Sequence, residues 1–90
     1  MSVTWRLDGV EKSAAEAKRA RPHQEIEARL GDGKALSARI EHSEGYDFWH
    51  VSYYINGAQA YADSFTNLRE AIQFVAGAIA AIKRAAKEDN

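Results

Sequence analysis

The sequence predicts an α+β fold in which a long carboxy-terminal helix packs on one face of a four-stranded antiparallel β-meander. Two observations carry this prediction. Apolar and polar residues alternate along four runs between residues 24 and 65, as expected for strands of a sheet with one buried face. From residue 68 onward, apolar residues recur at steps of three and four, which is the spacing of an amphipathic helix.

The chain has 90 residues, which is enough for a single domain with one modest core. We divide it into an amino-terminal appendage (residues 1–22), a sheet (24–65) and a long helix (66–88). It contains no cysteine, so disulfides and thiolate metal sites are excluded. Its formal net charge is −1, whereas general nucleic-acid-binding domains usually carry a basic excess.

The appendage is predicted to hold a short strand followed by a short helix. Alternation over residues 3–7 is typical of a strand. Ser13 and Glu16 have the spacing of a capping box for a helix over residues 14–21, which Pro22 stops. A mobile linker is the alternative, because Ala-rich helices of this length are marginal on their own.

Residues 24–40 are predicted to form the first hairpin of the meander. Apolar residues keep one parity before and after the glycine-rich segment 31–33, which supplies a three-residue loop. A loop over residues 43–46 then brings Ile40 beside Trp49 in the third strand. A slip of one residue would move every apolar side chain to the wrong face.

The strongest local signal is the Asn56-Gly57 pair, which is typical of a two-residue hairpin turn. It predicts that Val51 lies opposite Ala62, so that large side chains of the third strand face small ones of the fourth. The odd-numbered side chains from 49 to 55 then point toward the long helix. Their even-numbered neighbours point away from it.

The long helix is predicted to begin at a cap formed by Asn67 with Glu70, and Thr66 is an equally good candidate for the cap. Beside its main apolar stripe runs a second one, which one sheet would not cover. The amino-terminal appendage or a second copy of the chain could cover it. A homodimer would use Phe74, Ala78 and Ala81 of that second stripe.

The sheet face turned away from the helix is predicted to carry four aromatic residues, although a wet sheet face is normally polar. We interpret this face, or an edge of the sheet, as a surface that binds a protein partner. The alternatives are packing between neighbouring strands and cover by the amino-terminal helix. The predicted partner-binding residues are Arg39, Phe48, His50, Tyr54, Tyr61 and Phe65.

The sequence favours a non-enzymatic protein without metal or cofactor. His50, predicted opposite Asp63, and Ser52 match the residue types of a catalytic triad. However, neighbours two apart on a strand lie roughly 6.5–7 Å apart, too far for the hydrogen bond that activates a nucleophile. His42 and His50 point to opposite faces, so they cannot share a metal ion.

Two clusters of basic residues support a nucleic-acid-binding module as the alternative function. The order helix, sheet, helix with basic helical residues resembles a double-stranded-RNA-binding domain. Residues 67–70 stand where that family carries a basic cluster, and the acidic strands would repel phosphate. The candidate phosphate-binding residues are Lys18, Arg19, Arg21, Lys83, Arg84 and Lys87.

Residues 47–82 resemble in layout the small HicB-like antitoxin domains, in which a hairpin feeds a helix that opens with a Glu-Ala pair, here Glu70-Ala71. This resemblance implies an antitoxin-like regulatory protein. In size and cysteine-free composition the chain also resembles anti-CRISPR proteins, which implies a phage or mobile-element inhibitor of a bacterial defence complex. A cytoplasmic location is expected, because neither a signal-peptide pattern nor a membrane-spanning run is visible.

Overall fold

The computed structural model describes residues 2–42, 45 and 47–88. Within these residues the chain forms β1 (Val3–Leu7), β2 (Val10–Lys12), α1 (Ala14–Ala17), β3 (Ile26–Leu30), β4 (Leu36–His42), β5 (Trp49–Ile55), β6 (Ala58–Phe65) and α2 (Leu68–Glu88). The six strands form one antiparallel sheet in the order β2-β1-β3-β4-β5-β6. The predicted α+β class is confirmed, but the sheet has six strands among the described residues rather than four.

The two extra strands come from the amino-terminal appendage, which adds to the edge of β3. Strand β1 is confirmed, whereas β2 was missed because three residues are too few to show alternation. Asp8 and Gly9 make the turn between them with left-handed backbone, at φ 50° and 82°. Asp8 also ties β1 to β3, because its Oδ1 accepts a hydrogen bond of 3.0 Å from the Glu25 amide.

Helix α1 begins as predicted but ends at Ala17, four residues before the predicted end. The capping box is confirmed: the Glu16 amide donates to Ser13 Oγ at 3.1 Å, and the Ser13 amide donates to Glu16 Oε1 at 3.3 Å. The hydrogen bond from the Ser13 backbone is the main cause that lowers the pKa of the Glu16 carboxyl. Ala17 is fully buried in the same core as Trp5, so α1 packs on the side of the sheet that faces the core.

The core lies on one face of the sheet, which we call the helix face; the opposite face is called the open face. From the strands it contains Trp5, Ile26, Ala28, Leu30, Leu36, Ala38, Ile40, Trp49 and Val51. From α2 it contains Ala71, Ile72, Val75 and Ile79. The predicted phase of β5 is therefore confirmed, since Trp49 and Val51 point toward α2.

The registers of two strand pairs differ from the prediction by two residues. Leu30 pairs with Leu36, so the loop spans residues 31–35 instead of three residues. Ile40 pairs with Val51 rather than with Trp49. Because side chains alternate with a period of two, these shifts change the cross-strand neighbours but not the faces. Residues 43, 44 and 46 of the predicted loop between β4 and β5 lie outside the described residues.

The β5–β6 hairpin differs from the prediction by one residue, which has a larger effect. Its turn is confirmed, with Asn56 and Gly57 in left-handed backbone at φ 53° and 81°. The pairing then shifts between Tyr54 and Tyr53, and Ala60 is left over as a β-bulge. Every residue of β6 beyond the bulge therefore lies on the face opposite to the predicted one.

The predicted pairs from Tyr53 to Trp49 are wrong for this reason. Val51 lies opposite Asp63 instead of Ala62, and His50 lies opposite Ser64 instead of Asp63. Large residues also meet large ones, because Trp49 pairs with Phe65. Strand β6 therefore does not present to the helix the row of small side chains that was expected.

The bulge creates an aromatic cluster on the helix face, formed by Tyr53, Tyr61, Phe65 and Phe74. Tyr61 and Phe65 are predicted on the outward face, which is wrong, because the bulge places them opposite Tyr53 and Trp49 on the helix face. The Phe74 ring of α2 lies 4.9 Å from that of Tyr61 and 5.2 Å from that of Phe65, and Tyr53 stacks on Tyr61 at 5.7 Å. Strand β6 therefore covers part of Phe74, which stays half-buried.

Helix α2 is anchored at its amino-terminal half. The predicted cap is confirmed, because Asn67 Oδ1 accepts a hydrogen bond of 2.8 Å from the Glu70 amide. The buried residues of the helix, Ala71, Ile72, Val75 and Ile79, all lie in this half, while Ala81 and Ala85 on the second stripe are exposed. None of the helices in the described part of the chain is long and apolar enough to span a bilayer.

Candidate interaction surface on the open face

The open face is the largest uncovered surface of the sheet, because α1 and α2 both contribute to the core on the helix face. Strand pairing assigns its members. They are Thr4, Arg6, Glu11, Glu27, Arg29, Ser37, Arg39, Glu41, His50, Ser52, Tyr54, Gln59, Ala62 and Ser64. An antiparallel sheet can leave one face wet in this way when that face is polar.

A depression of about 290 Å³ lies on the open face, where two serines sit between longer side chains. Ser37 is flanked by Arg29 on one side and Tyr54 on the other, and Ser52 lies opposite Arg39. The lining residues are Glu27, Arg29, Ser37, Ala38, Arg39, Ser52 and Tyr54. Sequence reasoning selected Arg39 and Tyr54 but missed Arg29 and Ser37, although both have the parity of this face.

Ion pairs with neighbouring glutamates orient the two arginines of the depression. Arg39 Nε lies 2.9 Å from Glu25 Oε1, and its Nη1 lies 3.7 Å from Glu41 Oε1. Arg29 Nη2 lies 3.4 Å from Glu27 Oε2. The Arg39 pairs are exposed, and pairs of this kind contribute about 0–1 kcal/mol each, so a carboxylate of a partner can replace them at low cost. The Arg29 pair is part-buried, because the Glu27 side chain is 23% exposed.

Charge is unevenly distributed over the open face. Arg6 and Arg39 lie in the same cross-strand row on either side of Glu27, and Arg29 lies in the next row toward the 31–35 loop. At the other end, Glu41 occupies the row that contains His50. Glu11 pairs with Arg6 in the same row, so the end toward the loop holds three arginines and two glutamates, a net charge of +1. The face therefore has a weakly basic end and an acidic end, which favours partners of matching polarity.

The predicted binding residues are divided between the two faces. Arg39, His50 and Tyr54 lie on the open face, and all three are exposed. Phe48 is also exposed and directly precedes β5. Tyr61 and Phe65 belong to the aromatic cluster on the helix face, so the six residues do not form one surface.

The arrangement of His50, Ser52 and Asp63 differs from that of a triad. His50 Nδ1 lies 3.3 Å from Ser64 Oγ on the open face. Asp63 lies on the helix face, where its Oδ2 accepts a hydrogen bond of 3.3 Å from Tyr61 Oη. The charge of Asp63 is the main cause that raises the pKa of Tyr61. The carboxylate therefore lies on the wrong side of the sheet to orient His50.

The histidines are separated as predicted, with one exception. His42 pairs with Trp49 on the helix face and His50 lies on the open face, which confirms that they point apart. His23 and His42, however, line a common depression of about 190 Å³, which the sequence did not reveal because His23 precedes the strands. Across the described residues, three or more His, Asp or Glu side chains are nowhere grouped so that they could hold a metal ion.

The two basic clusters lie outside the depression. Lys18, Arg19 and Arg21 follow α1, which packs beside β1. The second cluster lies on the last turns of α2, which contacts β4, β5 and β6. It consists of Lys83, Arg84 and Lys87. Nucleic-acid binding by these residues stays a prediction.

Comparison of the chain with protein-family models, curated proteins and solved structures finds no match. The resemblances to HicB-like antitoxin domains and to anti-CRISPR proteins therefore stay predictions.

Proposed function

We propose that this protein is a non-enzymatic module that binds a protein partner through the depression on its open face. The observation that carries the proposal is the placement of Arg29, Arg39 and Tyr54 around two serines on an uncovered sheet face. Arg and Tyr are enriched in protein–protein interfaces and among their energetic hot spots. A shallow surface of this kind suits a macromolecule better than a small substrate, which requires a deeper cleft.

The charges of the open face indicate which partner surface would fit it. Carboxylates of the partner would replace Glu27 and Glu25 as acceptors for Arg29 and Arg39, forming charge-assisted hydrogen bonds. A basic side chain of the partner would lie near Glu41, and an apolar or aromatic group would pack on Tyr54, which is 38% exposed. The partner surface is therefore expected to be bipolar, with its acidic part over the arginines.

Two kinds of protein would use such a surface: an inhibitor and an antitoxin-like regulator. An inhibitor of a bacterial defence complex would bind one subunit of that complex, whereas an antitoxin-like regulator would bind a toxin. The identity of the captured protein distinguishes these two versions of the proposal.

Affinity capture from cells of the native host tests the proposal. The double variant Arg39→Ala/Tyr54→Ser should lose the protein that the unaltered chain retains, with an affinity decrease of about tenfold or more. The control variant Lys18→Ala/Lys87→Ala changes exposed residues outside the open face and should retain the partner. Circular dichroism should show that both variants keep the fold.

Three outcomes contradict the proposal. The first is a partner that binds the open-face variant as well as the unaltered chain. The second is loss of binding in the control variant together with release by nuclease, which would favour the nucleic-acid alternative. The third is that no protein is retained specifically.

A further inference from the structure

The two edges of the sheet differ in their protection against pairing with another strand. Strand β2, at one edge, has three residues, two of which are the charged Glu11 and Lys12. Strand β6, at the other edge, has eight residues, and Asp63 is its only charged one. Short length and charged side chains, especially lysine, protect natural edge strands. Apart from the bulge at Ala60 and the single carboxylate, β6 lacks such protection.

An apolar surface continues from the edge of β6 onto α2. Tyr61 is 41% exposed beside Phe74, which is half-buried. Further along the same side of α2, Ala78 is half-buried and Ala81 and Ala85 are exposed. The strand edge and the second stripe of the helix therefore form one contiguous surface.

We propose that a second copy of the chain occupies this surface, with β6 pairing antiparallel to β6 of the copy. A two-fold axis perpendicular to the sheet would join the two six-stranded sheets into one. Both α2 helices would lie on the same side of the joined sheet, with their second stripes facing each other. Symmetry thus supplies an edge strand and an apolar helix side together, whereas an unrelated partner would need both in the same arrangement.

The charges of β6 are compatible with this self-pairing. When the axis passes through Ala62, the residue after Ala62 in one copy faces the residue before Ala62 in the other. Asp63 of each copy therefore lies opposite Tyr61 of the other. Carboxylate and phenol then meet, instead of two carboxylates. Within one chain the Tyr61 hydroxyl already donates a hydrogen bond to Asp63, so the two groups are suited to each other.

The exposure of β6 itself agrees with an uncovered interface. Phe65 is half-buried, and the other seven residues of the strand are exposed. Pairing at β6 is independent of the partner-binding role proposed for the open face.

Light scattering after size exclusion tests the dimer on the full chain. We expect a mass of twice 10.0 kDa that falls toward 10.0 kDa on dilution. Ala62→Lys places two like charges at the axis, and Ala81→Glu places a carboxylate on the second stripe. Each should raise the dissociation constant about tenfold or more. Ala80→Glu is the matched control, because Ala80 is an exposed neighbour on the polar side of α2.

Hydrogen exchange provides a second measurement. The alternate amides of residues 61–65 that point away from β5 should become better protected as the protein concentration rises, while those of β2 should not change. A monomer mass at every concentration overturns the proposal. So does a control variant that weakens association as much as Ala81→Glu, and so does concentration-dependent protection confined to another strand.

Discussion

The β3–β4 and β5–β6 hairpins show the same alternation of apolar and polar residues, but only the first keeps its predicted faces. In β3–β4 the register differs from the prediction by two residues, and Leu30 and Leu36 are both fully buried. In β5–β6 a single bulged residue, Ala60, moves Tyr61 and Phe65 from the open face to the helix face. A register error of two is therefore harmless for assigning faces, whereas an error of one reverses them.

The reason for the bulge lies in α2. With regular pairing, Ala62 and Ser64 would face the helix and leave Phe74 without an aromatic neighbour from β6. The bulge instead places Tyr61 and Phe65 against Phe74, which removes far more apolar surface from water. Aromatic pairs at these ring distances add about 0.5–1.5 kcal/mol beyond the burial of area.

The largest effect is expected in the region where the two hairpins share a core. Ile40 is 1% exposed, and Ile40→Ala should lower the free energy of unfolding by about 2–5 kcal/mol, because it leaves a cavity under α2. Ser52→Ala, on the open face of the neighbouring strand, should change it by less than about 0.5 kcal/mol. Urea unfolding measures both variants. Equal losses would contradict the assignment of the two faces.

The second prediction tests the reversed faces of β6. Phe65 is half-buried in the aromatic cluster, so Phe65→Ala should cost about 1–3 kcal/mol, less than the 3–5 kcal/mol typical of a fully buried aromatic residue. Tyr54→Ala should cost less than about 1 kcal/mol, because Tyr54 lies on the open face. If Tyr54→Ala proved the more destabilising in chemical denaturation, the bulge would be misplaced.

The smallest effect is expected from deleting Ala60. Because Ala60 is the unpaired residue, its removal leaves Tyr53 opposite Tyr61 and makes the hairpin regular. The free energy of unfolding should change by about 1 kcal/mol or less, and the near-ultraviolet dichroism of the aromatic cluster should persist. In a hairpin without a bulge, the same deletion would move residues 61–65 to the other face and disrupt the core. Loss of the folded state would therefore contradict the observed register.

Much of the candidate surface could be predicted, because it depends on parity alone. Arg39, His50 and Tyr54 were assigned to the open face from alternation, and strand pairing places them there. Tyr61 could not be assigned, since the even positions 58, 60 and 62 of β6 are alanines, which fit either face. The grouping of Arg29 with Ser37 and Tyr54 required the register across three strands, which the loop lengths did not define.

Local signals in the sequence determined the capping box of α1, the Asn56-Gly57 turn, the cap and length of α2, and the phase of the strands up to β5. Each depends on residues a few positions apart, whose backbone preferences act before distant parts of the chain meet. The tertiary structure alone decided the addition of β1 and β2 to the sheet, the registers, and the bulge in β6. These depend on contacts between residues far apart in sequence, above all on the need of Phe74 for an apolar cover.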